Sequence, residues 1–340
     1  MVQLLRYLLF PISLLYAAGV HVRNFLFDMD VFKGEKFSTP TIVIGNLSVG
    51  GTGKTPMVAY LIELLSPHYK IAVLSRGYKR KTKGIVIADG SSSVFDIGDE
   101  PFQIAKKYPF ITMAVDADRR NGIRELERLI SPELIILDDA YQHRWVRPSM
   151  TFLLTSYGEL YPNDWYLPTG NLRDAKNQAK RADSIVVTKC PKLPAENEKK
   201  KLVAILRPKT SQSVVFGELK YDNRLIGLER TTTFEAVKGK QVALVTGIAN
   251  PTPLLIFLKS KGLVFEHLKF PDHHNFTDKE IQSFKTYDVV VTTEKDFVRL
   301  DGRLSNAYYI KIKHRFSEND NEIILRGITK ILKSDPQHLS

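Results

Sequence analysis

Six short apolar runs punctuate the first 190 positions: TIVIGN (41–46), KIAVLS (70–75), ITMAV (111–115), ELIILDD (133–139), MTFLLTS (150–156) and DSIVVTK (183–189). They are near-continuous rather than alternating, the mark of strands buried on both faces. Between them, 55–66, 100–107 and 118–130 read as helices. Strands alternating with helices predict a mostly parallel sheet covered on both sides.

The rhythm breaks at a polar, Lys-rich stretch, PKLPAENEKKKL (191–202), a short helix or a connector, followed by the β-rich SVVFGELKY (213–221). It then resumes with strand QVALVT (241–246), a helix near 251–261, a strand near 263–269, a helix from 278, strands DVVVTT (288–293) and AYYIKI (307–312), and a last helix near 320–333. Asn250 is a plausible N-cap with Pro251 at the first helical position, and Thr277 with Glu280 fits a capping box. The fold expected is α/β: a P-loop NTPase-like, mostly parallel sheet over 31–215, and a second, smaller α/β domain over 216–340. The break between them falls somewhere in 190–240. No internal repeat is visible.

The first residues, MVQLLRYLLFPISLLYAAGVHVRNFLF, follow neither pattern. The uncharged interval between Arg6 and Arg23 is about 16 residues, short of the ~20 needed to span hydrocarbon, and Pro11 interrupts a helix there. Three readings fit residues 1–30: a signal peptide, a buried amphipathic helix, and a helix lying in a membrane interface. For the last, Leu4, Leu5, Leu8, Leu9, Phe10, Ile12, Leu14, Leu15 and Tyr16 supply apolar area, while Arg6 and Arg23 suit anionic headgroups.

Composition changes this picture in two respects. The formal net charge is +12 over 340 residues, which draws polyanions: nucleic acid, anionic lipid or phosphorylated small molecules. No zinc-finger spacing, RNP-like segment or heptad-supported basic helix accompanies it, so nucleic acid is not the expected partner. The basic run RGYKRKTKG (76–84) is either a solvated loop or part of an anion surface. Second, Cys190 is the one cysteine, so no internal disulfide exists, and it reads as a small filler at a strand end.

The chemistry concentrates in GNLSVGGTGKTPMV (45–58). Ser48-Val49-Gly50-Gly51-Thr52-Gly53-Lys54-Thr55 matches the nucleotide loop G-x-x-x-x-G-K-[ST], except that Ser48 replaces the first glycine. A strand precedes it and a helix follows. Its glycines permit a backbone that aims N–H groups inward, the helix start adds its positive dipole end, Lys54 neutralises phosphate oxygens, and the Thr55 hydroxyl is a Mg²⁺ ligand. ELIILDD ends in Asp138 and Asp139, placed as a second source of metal ligands, directly or through water. A nucleoside triphosphate with Mg²⁺ is therefore the expected bound species.

Further clusters follow in order: SRGYKRK (75–81), GDEPFQIAKK (98–107), DRRNG (118–122), DDAYQHR (138–144), GNLRDA (170–175), TGIANP (246–251), FPDHHNF (270–276) and TTEKDFVRL (292–300). Together with the loop they resemble the tetraacyldisaccharide 4′-kinases, from about residue 1 to 330. The resemblance implies a kinase that uses ATP and Mg²⁺ to phosphorylate the 4′-hydroxyl of a lipid A precursor, a tetraacyldisaccharide 1-phosphate, giving lipid IVA. It implies a membrane-associated N-terminal helix, work at the cytoplasmic face of the Gram-negative inner membrane, and no obligate protein partner. Asp99 becomes the candidate base, with His273 as its partner and the adjacent His274 as the alternative; imidazole can orient a carboxylate or share its proton. No Cys cluster or HExxH spacing makes the histidines a zinc site. Arg76, Arg119 and Arg173 are candidates to hold phosphates, and Gln142 and His143 to line the site. Glu294 and Asp296 are expected to build the interdomain cleft, to contact nucleotide, or to cap a strand-to-helix turn. The chain departs from the family in two places. Ala140 stands where glycine is usual, which matters only if that backbone needs positive φ, and in GNLRDA a shorter carboxylate, Asp174, stands where glutamate is usual.

Overall fold

In the computed structural model, which describes residues 6–300 and 302–333, the apolar runs pair into one sheet. Its strands are β1 (Thr41–Asn46), β2 (Ile71–Ser75), β3 (Val86–Ile87), β4 (Thr112–Val115), β5 (Leu134–Asp138), β6 (Met150–Ser156), β7 (Ser184–Cys190), β8 (Ser213–Ile226), β9 (Thr231–Thr233), β10 (Val242–Thr246), β11 (Glu266–Lys269), β12 (Val289–Thr293) and β13 (Ala307–Phe316). The order is β11-β10-β12-β13-β8-β7-β6-β1-β5-β2-β4-β3, with β9 beside β8. Pairing is parallel except for β13 with β8, β8 with β9 and β3 with β4.

β1 lies between β5 and β6, and all six of its residues are buried. Its pleat sends Ile42 and Ile44 into one core with Met57, Val58 and Leu61, and Val43 into the opposite core with Ile123 and Leu126. The helices that supply those residues are α2 (Lys54–Leu65) and α5 (Arg119–Leu129); α1, α3 and α4 are Phe10–Asp28, Val94–Ile97 and Asp99–Lys107. The far end repeats the arrangement: Leu244 and Val291 enter one core, and Ala243, Val245 and Val290 the other. The helices there are α6 (Glu196–Leu206), α7 (Phe234–Val237), α8 (Thr252–Ser260), α9 (Asp278–Phe284), α10 (Glu294–Leu300) and α11 (Glu318–Lys333). The cores thus form separate pairs, while the strand ladder runs unbroken from one end to the other through β8 and β13.

The polar stretch after residue 191 contains a true helix, α6. The strand expected at 307–312 runs on to Phe316, because Lys311, Lys313 and Arg315 alternate with Ile312, His314 and Phe316, a half-buried pattern. Elements of two to seven residues (β3, α3, β9, α7 and α10) are too short to show a period. The capping box at Thr277 is present. Helix α8 starts one residue later than expected, at Thr252, whose N–H is still capped by the Asn250 side chain at 3.1 Å.

Helix α1 narrows the expectation for Pro11: helical backbone at 6–8 breaks in a turn at Leu9, and a long helix starts again at Phe10. The proline sits in its first turn, where a missing N–H leaves nothing unpaired, so the helix forms. Its polar residues face the body. Buried Asn24 donates to Asp174 Oδ1 at 2.8 Å, and Ser13 Oγ lies 2.7 Å from Thr169 Oγ1. Arg144 closes the far end on Asp28 at 2.6 Å. Leu8, Leu9, Phe10, Ile12, Leu14, Leu15 and Tyr16 all face outward, with Leu8 and Leu15 each 75% exposed. A helix that buries its apolar side in the protein is therefore not what forms. Leu4 and Leu5 lie outside the described residues. Among the described residues no helix is long and apolar enough to cross a membrane.

Asp174 thus uses its short arm to hold α1, and also accepts from the Ala175 N–H at 2.8 Å. Asp174→Ala leaves the Asn24 amide buried without its acceptor and is expected to cost about 1–3 kcal/mol. Urea unfolding reads the loss, and brief proteolysis should cut first between α1 and the body. An unchanged midpoint with an equally resistant α1 would remove Asp174 from that role.

Candidate active site

The phosphate loop is the turn from β1 into α2. Gly50 and Gly53 have φ of 109° and 86°, in the left-handed region that favours glycine, and Gly53 is the N-cap of α2. Ser48 does not share that region, so its place in the motif needs no glycine. Its hydroxyl donates instead to Asp164 Oδ2 at 3.0 Å, and the Val49 N–H donates to the Asn171 carbonyl at 2.7 Å. Asn46 braces the inside, donating to Thr52 Oγ1 at 2.9 Å. A Cβ on Gly50 or Gly51 would meet nothing within 4 Å, so the loop is open on that side. Lys54 Nζ lies 3.5 Å from Asn46 Oδ1 and 3.7 Å from Asp139 Oδ1, in loose contact with both.

Asp138 ends β5 beside β1 and is buried; its Oδ2 accepts from Ser75 Oγ at 3.1 Å, while its Oδ1 is buried with no partner. Burial, then the neighbouring charges of Glu100 and Asp139, push its pKa up to about 7. Asp139 has φ of 48° and pairs with Arg173, one contact being Nη1 to Oδ2 at 3.2 Å. Burial would raise its pKa, but Lys54 and Arg173 outweigh that and hold it down. Ala140 is not in the left-handed region, so its replacement of glycine carries no strain. Crowded carboxylates, one with an unpartnered oxygen, are what a divalent cation would relieve, and hard oxygens are what Mg²⁺ takes. Among the described residues no group of three or more His, Cys, Asp or Glu is arranged to hold a metal alone. Mg²⁺ would therefore complete its shell with phosphate oxygens and waters.

Asp99, His273 and Arg299 form a second cluster. Asp99 opens α4 after Gly98, whose φ is 90°. His273, with φ of 62°, sits in the loop after β11, its N–H bonded to the Gly247 carbonyl at 3.1 Å. Its Nδ1 is 3.0 Å from Asp99 Oδ2. Arg299, from α10, donates to the same oxygen from Nε at 3.0 Å and Nη2 at 2.8 Å. Arg299 is itself buried and anchored by Asp296 Oδ1 at 2.8 Å; that carboxylate also accepts from the Gly247 N–H at 2.9 Å. Burial works to raise the Asp99 pKa, but the His273 hydrogen bond and the Arg299 guanidinium prevail and hold it at about 2. His274 turns elsewhere: its ring stacks on Phe270 and its Nε2 meets the Glu280 carboxylate at 3.0 Å.

Glu100, next to Asp99 in the chain, couples the two clusters through charge. It is ion-paired with Lys295, and its charge is felt by Lys54 and Asp139. Lys107 and Glu294 add a second pair, at 2.8 Å, across α4 and α10. Arg299 and Lys295 were not singled out from the sequence. The signal for Arg299 was its place three residues after Asp296 in TTEKDFVRL, on one face of a helix.

The remaining candidates divide. Arg173 joins the centre, bonding Asn46 Oδ1 as well as Asp139. Arg76 is exposed and, with Tyr78, Lys79, Arg80 and Lys83, lines a cavity of about 340 Å³. Arg119 is buried: its Nη1 bonds the Asp116 carbonyl at 3.0 Å, its Nε has no partner, and burial lowers its pKa to about 10. Gln142 Nε2 bonds the Asn46 carbonyl at 2.7 Å, behind the loop. His143, partly buried, is lowered to about 4, first by burial and then by Arg119.

The tetraacyldisaccharide-1-P 4′-kinase family profile matches residues 5–329. A tetraacyldisaccharide 4′-kinase of Flavobacterium johnsoniae is 46% identical, covering 97% of this chain and 99% of its own length. One from Phocaeicola vulgatus is 40% identical, covering 97% and 96%. The crystal structure of apo-form LpxK from Aquifex aeolicus in complex with ATP superposes with a TM-score of 0.79 at 31% identity, covering 96% of this chain and 99% of that one.

Proposed function

We infer the reaction from one premise: this chain belongs to the tetraacyldisaccharide-1-P 4′-kinase family. It is an ATP-dependent kinase that transfers the γ-phosphate to the 4′-hydroxyl of a tetraacyldisaccharide 1-phosphate, giving lipid IVA. The observation that carries the assignment of residues is Asp99, gripped by His273 and Arg299 from the far half of the sheet, next to a carboxylate, Glu100, that feels the phosphate-loop lysine.

Residues 48–55 seat the triphosphate with inward backbone N–H groups and the Lys54 ammonium. Thr55, Asp138 and Asp139 would hold Mg²⁺, which would supply neutralisation of charge on the phosphate oxygens. Asp99 accepts the hydroxyl proton as the acceptor oxygen bonds to the γ-phosphorus and the bridging oxygen leaves with ADP. In a loose transition state the nucleophile needs little activation, so a carboxylate of low basicity suffices. Arg299 holds that carboxylate in one orientation, and its Nη2 also lies 2.9 Å from His273 Nδ1, so base, imidazole and guanidinium form one cluster. Arg173 keeps Asp139 in place, and exposed Arg76 is available to an anionic group of the acceptor.

Incubation with γ-labelled ATP, Mg²⁺ and detergent-dispersed disaccharide lipid should label the lipid. Hydrolysis without labelled lipid, unaffected by acceptor, would overturn the assignment in favour of a nucleotide switch.

Helix α1 is the membrane-facing part. Its outward leucines and aromatics fit an interfacial seat at the cytoplasmic face of the inner membrane, where ATP is present. Leu8 and Leu15 are each 75% exposed, so Leu8→Lys with Leu15→Lys should disturb little packing. It should reduce flotation with anionic vesicles by about tenfold or more, since the two leucines together give up about 3–6 kcal/mol of burial while each new lysine regains only about 1 kcal/mol from anionic lipid. Equal flotation of wild type and variant would remove α1 from that role.

A further inference from the structure

Two buried side chains outside the described chemistry touch the back of the phosphate loop. Thr188, at the end of β7, donates its hydroxyl to the Thr52 carbonyl at 2.7 Å. His314, on β13, lies with Nε2 3.1 Å from the Gly53 carbonyl. A carbonyl only accepts, so Nε2 carries the proton, and Nδ1 is left buried without a partner. The ring has a made seat. It stacks on Phe316 with centroids 5.5 Å apart and planes 22° from parallel. A Cβ on Gly217 would come within 3.2 Å of its Nδ1, and one on Gly53 within 3.2 Å of its Nε2. Burial lowers its pKa to about 4, so the ring is neutral near pH 7.

In a trans peptide the C=O and the following N–H point in opposite directions. Drawing the Thr52 carbonyl back to Thr188 turns the Gly53 N–H toward the front of the loop. Drawing the Gly53 carbonyl toward His314 does the same for the Lys54 N–H; that carbonyl also accepts from the Met57 N–H at 3.1 Å. We propose that His314 and Thr188 are positioning residues that aim the Gly53 and Lys54 amides at the nucleotide's phosphates, so that the seat is complete only when β13 is docked against it. β13 also pairs with β12, which leads directly into α10 and Arg299. One strand therefore ties the phosphate seat to the cluster that carries the acceptor base. The proposal rests on the nucleotide seat of the kinase reading, but its test measures binding rather than label transfer, so either can fail alone.

The test is calorimetric titration of the full chain, in detergent with Mg²⁺, by a non-hydrolysable ATP analogue, together with apparent KM values for ATP and lipid. His314→Phe keeps the stacked ring and loses the donor; Thr188→Val keeps the shape and loses the hydroxyl. Each is expected to weaken nucleotide binding by about tenfold, the worth of one oriented hydrogen bond. The KM for ATP should rise in step, while the KM for lipid holds and the melting temperature without nucleotide falls by a few degrees at most. His314→Gln, which restores an N–H, should recover most of the affinity. If His314→Phe does not fold, Thr188→Val carries the same test. Wild-type nucleotide affinity in both, an equal loss of nucleotide and lipid, or no recovery with glutamine overturns the proposal.

Discussion

Lys54→Ala is expected to lower phosphate transfer by on the order of 10³-fold, about 4 kcal/mol of transition-state stabilisation. The contacts explain why so much is lost with so little harm to the fold. The ammonium is 3.5 Å from Asn46 and 3.7 Å from Asp139, too far for either to be a firm structural bond. Its surroundings are carboxylates: Asp139 beside it, with Glu100 and Asp138 sensing its charge. Without it, a triphosphate approaches a cluster of its own sign. Lys54→Arg should not rescue, because a planar fork does not replace a point charge at the start of a helix. Circular dichroism should give a wild-type spectrum for both. Transfer above about a tenth of wild type in Lys54→Ala would contradict the assigned role.

Asp99→Asn should lower kcat by about 10²- to 10⁴-fold, the range for loss of a general base, and leave nucleotide affinity within about threefold, because the proposed role of Asp99 is toward the acceptor hydroxyl and not the nucleotide. Asparagine keeps a polar side chain against Arg299 and His273, so the substitution separates basicity from packing. A variant with wild-type turnover would take Asp99 out of the mechanism. The pH dependence has a definite sign. The folded pKa is depressed to about 2, so the base is ionised through the neutral range and imposes no acid limb on the rate above about pH 4. For stability, a depressed carboxylate contributes above its unfolded pKa, and the contribution is lost as pH falls from about 4 toward 2. Acid unfolding monitored by tryptophan fluorescence should therefore begin at higher pH in Asp99→Asn than in wild type.

Those expectations rest on parts that differ in how far the sequence announced them. The phosphate loop was legible because it is local: strand, glycines, lysine and helix start lie within 14 consecutive residues, 45–58. Asp138 and Asp139 were legible as the polar end of an apolar run. The pairing of Asp99 with His273 was not written in residue types; it came through the family resemblance, and the geometry then brings those two side chains together. The choice between neighbouring histidines depended on a backbone turn at 273 that no composition reveals. Arg299 was hidden by the brevity of its helix, and His314 by being a buried polar residue on a strand whose length was underestimated. The continuity of the sheet was equally hidden, since β8 meets β13 across about 90 residues of chain and such pairing leaves no local trace. The outward leucines of α1 were visible as apolar residues, but which way they faced was decided by Asn24 and Ser13 finding polar partners in the body.

The left-handed backbones at Asp139 and His273 affect how this cleft should be dissected. A routine alanine scan would remove a functional group there and also place a Cβ residue without Asn- or Asp-like tolerance in a conformation it adopts at a cost of about 1 kcal/mol or more. Alanine at either position would thus report chemistry and strain as one number. Asparagine tolerates that conformation, so Asp139→Asn and His273→Asn isolate the chemical contribution, and the difference between the two scans measures the strain held at each turn.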